Sequence, residues 1–128
     1  YEHAFATLFL TEVHGTSPAA DFRETIKAAI DLIIRSQNSE GGWRYDPRPT
    51  EADVSVTVSQ VMALRAAKNA GFFVPEETVE KAINYLKRAQ NPDGGFAYQL
   101  DGSTSRFALT AGSLVAMYNS GINEGPVL

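Results

Sequence analysis

The sequence predicts an all-α protein made of αα-hairpins in two layers, and three observations predict it. A loop motif recurs at a fixed distance: Gln37-Asn38-Ser39-Glu40-Gly41-Gly42-Trp43-Arg44-Tyr45 returns 53 residues later as Gln90-Asn91-Pro92-Asp93-Gly94-Gly95-Phe96-Ala97-Tyr98. The same offset pairs Ala29 with Ala82, Ile30 with Ile83, Arg35 with Arg88, Thr57 with Thr110 and Ala63 with Ala116, so the repeat spans helix, loop and next helix. Between the loops the apolar residues follow helical spacing, and no segment alternates convincingly as a strand would. Charge then sorts the helical segments into two alternating classes, and a helix that is apolar on most sides must be buried on most sides.

Each element can be justified in turn. Phe5, Leu8 and Phe9 predict a first helix over about 2–14. Ile26, Ala29, Ile30 and Ile33 follow the i, i+3, i+4, i+7 pattern of a second near 20–37; Asp21 and Glu24 have capping-box spacing, and Ser17-Pro18 offers an earlier start. Val54, Val58, Val61, Met62 and Arg65 predict a third near 53–70. Val79, Ala82, Ile83 and Leu86 predict a fourth near 76–90, with Pro75 suited to a first helical position and Glu76 and Glu77 to the positive end of the helix dipole. Ala111, Leu114, Val115 and Tyr118 predict a fifth near 105–119. Gly15, Gly71 and Gly121 stand where a left-handed C-terminal residue is wanted. Segments 38–52 and 91–104, rich in Gly, Pro, Asp and Ser, read as long loops. The second and fourth helices carry most of the charge, so the odd helices are expected inside and the even ones outside.

Composition narrows the partners. The chain has 128 residues, 44% of them hydrophobic and 20% charged, a globular balance large enough for a real core. A net charge of −4 makes nucleic acid and anionic membrane surfaces poor partners. Without cysteine there are no disulfides, thiolate metal sites or cysteine nucleophiles. No apolar run reaches the ~18 residues of a membrane span. One domain of about two and a half repeats over 1–128 accounts for the length.

The motif Gln-x-x-x-Gly-Gly-Trp/Phe at the end of an outer helix resembles the glutamine–tryptophan motif of the squalene–hopene cyclase and protein prenyltransferase repeat families. Gly42-Trp43-Arg44-Tyr45-Asp46-Pro47, Asp53-Val54-Ser55-Val56-Thr57 and Met62-Ala63-Leu64-Arg65 extend the resemblance along the chain. It implies a partial (α/α) toroid, with inner and outer helix rings around an apolar cavity for isoprenoid chains. On the residues alone, Gln37 and Gln90 can satisfy backbone groups of a neighbouring helix end, Trp43 and Phe96 can bury large rings over them, and the pairs Gly41-Gly42 and Gly94-Gly95 permit close backbone approach. These eight residues are therefore expected to act as a structural staple.

Candidate chemistry is sparse. The resemblance implies an Asp-x-Asp-Asp acid at the start of an inner helix, for which the nearest match is Glu51-Ala52-Asp53-Val54. Asp53 would stand in the proton-donating place, but Val54 replaces the last acid, and an N-cap on the third helix explains Asp53 as well. In the second unit Gly102-Ser103-Thr104-Ser105 has no acid pair; a Ser or Thr is expected to cap there, with Asp101 solvated. His3 and His14 lie ~16 Å apart along one helix, too far to share a metal. Neither a metal nor a cofactor is expected, and Ser55, Thr57 and Ser59 read as packing or back-bonding residues. Tyr1, Phe5, Phe9, Phe107 and Tyr118, all on odd helices, are expected to pack between the layers; facing a cavity is the alternative.

Five helices make an arc of a ring, and the chain opens on Tyr1, so a piece of a longer toroid is expected. An arc leaves its apolar inner face open, to be covered by missing repeats, by self-association or by an apolar isoprenoid-like ligand. Three functions remain open: a non-catalytic repeat segment walling an apolar cavity, an isoprenoid cyclase with Asp53 as a degenerate acid, and a non-enzymatic protein- or carbohydrate-binding scaffold.

Overall fold

The computed structural model describes residues 1–16 and 21–122. Its elements are five helices: α1 (Glu2–Thr16), α2 (Arg23–Arg35), α3 (Val54–Asn69), α4 (Glu76–Arg88) and α5 (Phe107–Asn119). Among the described residues the only β-pairing is two isolated bridges, Trp43 with Asp53 and Gln90 with Phe96.

Local signals explain most boundaries, and the exceptions have physical causes. α1 runs through Gly15 to Thr16, so that glycine does not end it. α2 starts after Phe22, and Asp21 accepts only the Arg23 N–H at 3.2 Å, a local turn in place of the expected capping box. The Ser17-Pro18 alternative lies outside the described residues. Pro75 is the N-cap of α4, one place before the expected first helical position, with its carbonyl accepting from Thr78. Gly71 and Gly121 take positive φ just beyond α3 and α5, which releases the chain from the last helical turn.

α3 organises the molecule. It packs against α1 on one flank and α5 on the other, while α2 and α4 lie behind it. Its buried residues go most of the way round, from Val54, Val56 and Val58 to Ala63, Leu64 and Ala67. α2 buries a single stripe of Ile26, Ile30 and Ile33 and turns Glu24, Lys27, Asp31 and Arg35 to water. The layers thus follow from polarity: α1, α3 and α5 in one, α2 and α4 in the other.

α5 buries a different side from the apolar residues whose spacing locates it. Ala111, Val115 and Tyr118 are exposed, and the buried side is Ser113, Ala116 and Met117. The reason is close approach: a Cβ on Gly112 would come within 3.2 Å of Val58, so small side chains face α3 and the larger ones are left outside. The odd-helix aromatics also differ from expectation. Phe5 is 55% exposed, Phe9 64%, Phe107 91% and Tyr118 63%, and Tyr1 is exposed as well, so these rings do not fill the space between the layers.

The two loops illustrate how helix packing selects glycine. Gly41 has φ +96°, and a Cβ there would drive into the Lys81 carbonyl of α4; Gly94, its repeat equivalent, has φ +84° with no described atom within 4 Å. Left-handed backbone costs a non-glycine residue roughly 1–2 kcal/mol. Gly94→Ala should therefore lose about 1–2 kcal/mol, whereas Gly41→Ala adds a backbone clash and should lose ~3 kcal/mol or more. Denaturant melts of the two variants give the order directly; equal losses would contradict the packing of α4 on the first loop.

Candidate functional site

Two equivalent corners join the layers. In the first, Gln37 Nε2 at the end of α2 donates to Gly41 O at 2.9 Å and to Thr78 O of α4 at 2.8 Å, tying one unit to the next. Asn38 N donates to the Gly42 carbonyl at 3.0 Å, closing the turn. Trp43 is buried, its indole N–H donates to Ile33 O at 2.7 Å, and its backbone N–H donates to Thr57 Oγ1 of α3 at 3.1 Å. The second corner repeats this framework: Gln90 Nε2 to Gly94 O at 3.1 Å, Asn91 N to Gly95 O at 2.8 Å, and Phe96 N to Thr110 Oγ1 at 3.0 Å. Phe96 is buried and has no indole donor to place. Thr57 and Thr110 receive these aromatic amides, a role the reading of Thr57 as a packing residue missed; their pairing at the repeat offset was the available signal.

Asp53 begins α3 at the centre of a cluster of hydroxyls. Its carboxylate is fully buried, and Oδ1 accepts from Val56 N and from Ser55 Oγ, each at 2.8 Å. Oδ2 is buried with no hydrogen-bond partner. Ser55 Oγ also meets the Tyr1 hydroxyl, the Tyr1 ring tilts against Tyr45 with centroids 5.8 Å apart, and Tyr45 shares a 2.7 Å hydroxyl bond with Tyr98. Burial pushes the Tyr1 phenol up from its ordinary value; the Tyr98 hydroxyl bond does the same to Tyr45. The N-terminal ends of α1, α3 and α5 thus gather around one acid and three tyrosines.

The second unit departs from this chemistry. Arg106 occupies the place equivalent to Asp53 and is the N-cap of α5, without a side-chain cap. Its guanidinium lies 5.7 Å above the Tyr98 ring. Neither Ser103, Thr104 nor Ser105 caps α5, contrary to expectation: the Ser105 hydroxyl is engaged instead by Asn91 Nδ2 and by Asp93, whose carboxyl that bond holds below the usual range. Asp101 is exposed and accepts from Ser103 N at 3.0 Å.

The remaining polar candidates scatter. His3 Nε2 lies 2.9 Å from Ala29 O, while His14 stacks at a tilt on Phe72 with centroids 5.4 Å apart. Among the described residues no three His, Cys, Asp or Glu side chains come together as a metal site, and no helix is long and apolar enough to cross a membrane. Ser59 Oγ bonds Val56 O within its own helix, and Arg44 pairs with Glu51 at 2.9 Å.

A groove of about 420 Å³ opens on the side of α3 away from α2 and α4. It runs between Leu8 and Glu12 of α1, Met62 and Arg65 of α3, and Tyr118 of α5. Phe5 and Phe9 share one face of α1 with Leu8 and Glu12 by their i, i+3, i+4, i+7 spacing, so the groove is bordered by exposed rings.

No family model matches the chain. Over 90 residues, 70% of its length, it is 33% identical to a drimenyl diphosphate synthase of Streptantibioticus cattleyicolor, and the match covers 16% of that protein. Over 98 residues, 75% of its length, it is 32% identical to a drimenyl diphosphate synthase of Streptomyces showdoensis, covering 17% of it. The chain therefore has terpenoid-cyclase-like relatives and spans about a sixth of their length. The likeness does not single out squalene–hopene cyclases within that wider group.

One buried group near Asp53 carries a pH signature. The Tyr85 ring of α4 lies against Gly42 and is fully buried, with its hydroxyl unpartnered. Burial first, then the Glu40 and Asp53 carboxylates, hold its phenol far above the ordinary value. Above pH ~10 the unfolded chain releases this proton and the folded chain keeps it. The folded state then binds more protons, so its stability falls as pH rises through that window. Tyr85→Phe should leave stability near neutrality unchanged or slightly higher, because an unsatisfied hydroxyl is removed, and should flatten the alkaline decline. Denaturant melts from pH 7 to 11 test this; an unchanged alkaline slope would show that Tyr85 ionises as easily as in the unfolded chain.

Proposed function

We propose that the chain is a repeat segment of a terpenoid-cyclase-like protein, an arc of an (α/α) toroid whose inner helices form one wall of a cavity for an apolar, isoprenoid-like ligand. The observation that carries this reading is the exposed aromatic border of Phe5, Phe9 and Tyr118 beside the groove over Met62. Large rings turned outward from the helices with the fewest charges are a binding surface by default. The drimenyl diphosphate synthases among the relatives support an isoprenoid as the ligand class. In this reading the segment supplies shape and apolar area, and the corners hold the wall in place.

Farnesol is the probe. Each buried phenyl contributes ~1.5–3 kcal/mol, so Phe5→Glu/Phe9→Glu should weaken farnesol binding by about tenfold or more. Both positions are exposed, so the circular dichroism spectrum should not change. Equal binding by the two forms, or none by either, would overturn the wall.

One observation favours a second reading, in which Asp53 is the proton donor of an isoprenoid cyclase: the buried, unpartnered Oδ2 beside a chain of hydroxyls. A cap needs only Oδ1. Asp53→Asn keeps that oxygen and should keep stability to within about 1 kcal/mol. Lost turnover with unchanged melting, measured in the complete enzyme, supports the acid; retained turnover leaves Asp53 as a cap alone.

A further inference from the structure

Two Asp-Gly pairs occur in the sequence, Asp93-Gly94 and Asp101-Gly102, and all four residues are exposed in the second loop. An aspartate followed by glycine is open to attack from within the chain, because glycine has no side chain to shield its nitrogen. The nitrogen must lose its proton and meet a neutral carboxyl group. Two features therefore control each pair: what the glycine N–H is bonded to, and what holds the carboxylate.

The pairs differ in both. Asp93 Oδ1 accepts from Gly95 N at 2.9 Å and from Ser105 Oγ at 2.7 Å, whereas Asp101 Oδ1 accepts only from Ser103 N, at 3.0 Å. In each case the aspartate bonds the backbone two residues on, which carries its side chain forward over the glycine. These bonds keep both carboxyls below the usual range, so ionisation slows attack at either pair. The glycine nitrogens separate them further. Gly94 N donates to Asn91 O at 2.9 Å, inside the turn that Asn91 N closes on Gly95 O at 2.8 Å. Among the described residues no acceptor meets Gly102 N, and no described atom lies within 4 Å of a Cβ built on Gly102.

We infer that Asp101-Gly102 is a site of spontaneous covalent change, in which the Gly102 nitrogen closes onto the Asp101 side chain as a cyclic imide that reopens to isoaspartate, while the turn around Gly94 protects Asp93. In the closing step a bond forms between Gly102 N and Asp101 Cγ, the Cγ–OH bond breaks, and the hydroxyl leaves with the amide proton as water. Water then reopens the ring at either carbonyl. Opening at the Asp101 main-chain carbonyl leaves the chain running through Cβ and Cγ, with a free α-carboxylate beside it. Water is the only co-reactant. The product has a longer backbone at this point, and the carboxylate that held Ser103 N is no longer in place. Ser103 O accepts from Asn91 Nδ2 at 2.8 Å, so the change reaches the brace across the second loop. The inference needs neither an isoprenoid ligand nor proton donation by Asp53.

Ageing the folded chain at pH ~5, where part of each carboxyl is neutral, tests it by peptide mapping. Endoproteinase Asp-N cuts before aspartate and not before isoaspartate. Cleavage before Asp101 should therefore fade with time while cleavage before Asp93 persists. One backbone hydrogen bond slows a step that must break it by about two- to tenfold, so position 101 should convert faster than position 93 by at least that factor. In denaturant the turn is lost, and the two pairs should convert at similar rates. Amide hydrogen exchange gives a second readout, with the Gly102 N–H expected to exchange faster than the Gly94 N–H. Equal conversion of the two pairs in the folded chain, faster conversion at Asp93, or an Asp101 that stays intact while the denatured chain converts would each refute the inference.

Discussion

The backbone amide of a buried aromatic residue, donating to a threonine hydroxyl on the following inner helix, is the contact on which the rest of this structure depends. A long polar loop must turn the chain from the outer layer to the inner one, and its backbone groups have no helix or sheet to satisfy them. Trp43 N to Thr57 Oγ1 and Phe96 N to Thr110 Oγ1 fix the loop at its deepest point in both units. Once that point is set, Asp53 N meets Trp43 O at 3.0 Å, Arg106 N meets Phe96 O at 3.1 Å, and each inner helix starts in a defined place. The start of α3 in turn places Asp53, Ser55 and the row of tyrosines. Removing the threonine oxygen would leave a buried N–H unpaired, which costs about 1–3 kcal/mol.

On this common frame the two units carry opposite charges at the same position. Asp53 is buried and bonded at one oxygen, whereas Arg106 lies against the Tyr98 ring at the protein surface. The frame tolerates both because the cap is replaceable: an N-cap side chain contributes ~1 kcal/mol, and the bond from the helix-start N–H to the aromatic carbonyl is kept in either case. The position is therefore free to vary with function while the fold stays the same. That freedom is why the repeat alone does not fix chemistry, and why the unpartnered Oδ2 is more informative about Asp53 than its place in the repeat.

The sequence made the architecture legible because a 53-residue period, helical spacing and charge segregation all pointed the same way. The five helices lie close to their expected spans for that reason. Side-chain facing was less legible. The apolar spacing of Ala111, Leu114, Val115 and Tyr118 located α5 but not its buried face, because periodicity marks where apolar residues fall and not how closely a neighbour approaches; Gly112 against Val58 decided that. The same limit explains Phe5 and Phe9: an apolar stripe reads alike whether it meets a second layer or an open groove. Capping was misjudged at Asp21 and at Ser103–Ser105 because local spacing competes with longer contacts, as when Asn91 and Asp93 draw Ser105 away from the helix end.

The two layers also differ in what their surfaces can do. The outer helices carry Glu24–Lys27, Asp31–Arg35 and Glu77–Lys81 pairs, all substantially exposed. Such pairs contribute about 0.2–0.5 kcal/mol each, too little to decide the fold. Their effect is to mark one side of the molecule as the side that meets water. The inner layer has no such marking: its exposed positions include Phe5, Phe9, Val115 and Tyr118. Turning a Phe from water into an apolar contact yields ~1.5–3 kcal/mol, several times the contribution of an outer ion pair. Among the described residues, much of the apolar surface still open to contact therefore lies on the inner side, and any ligand or neighbouring repeat that binds there draws on that same surface.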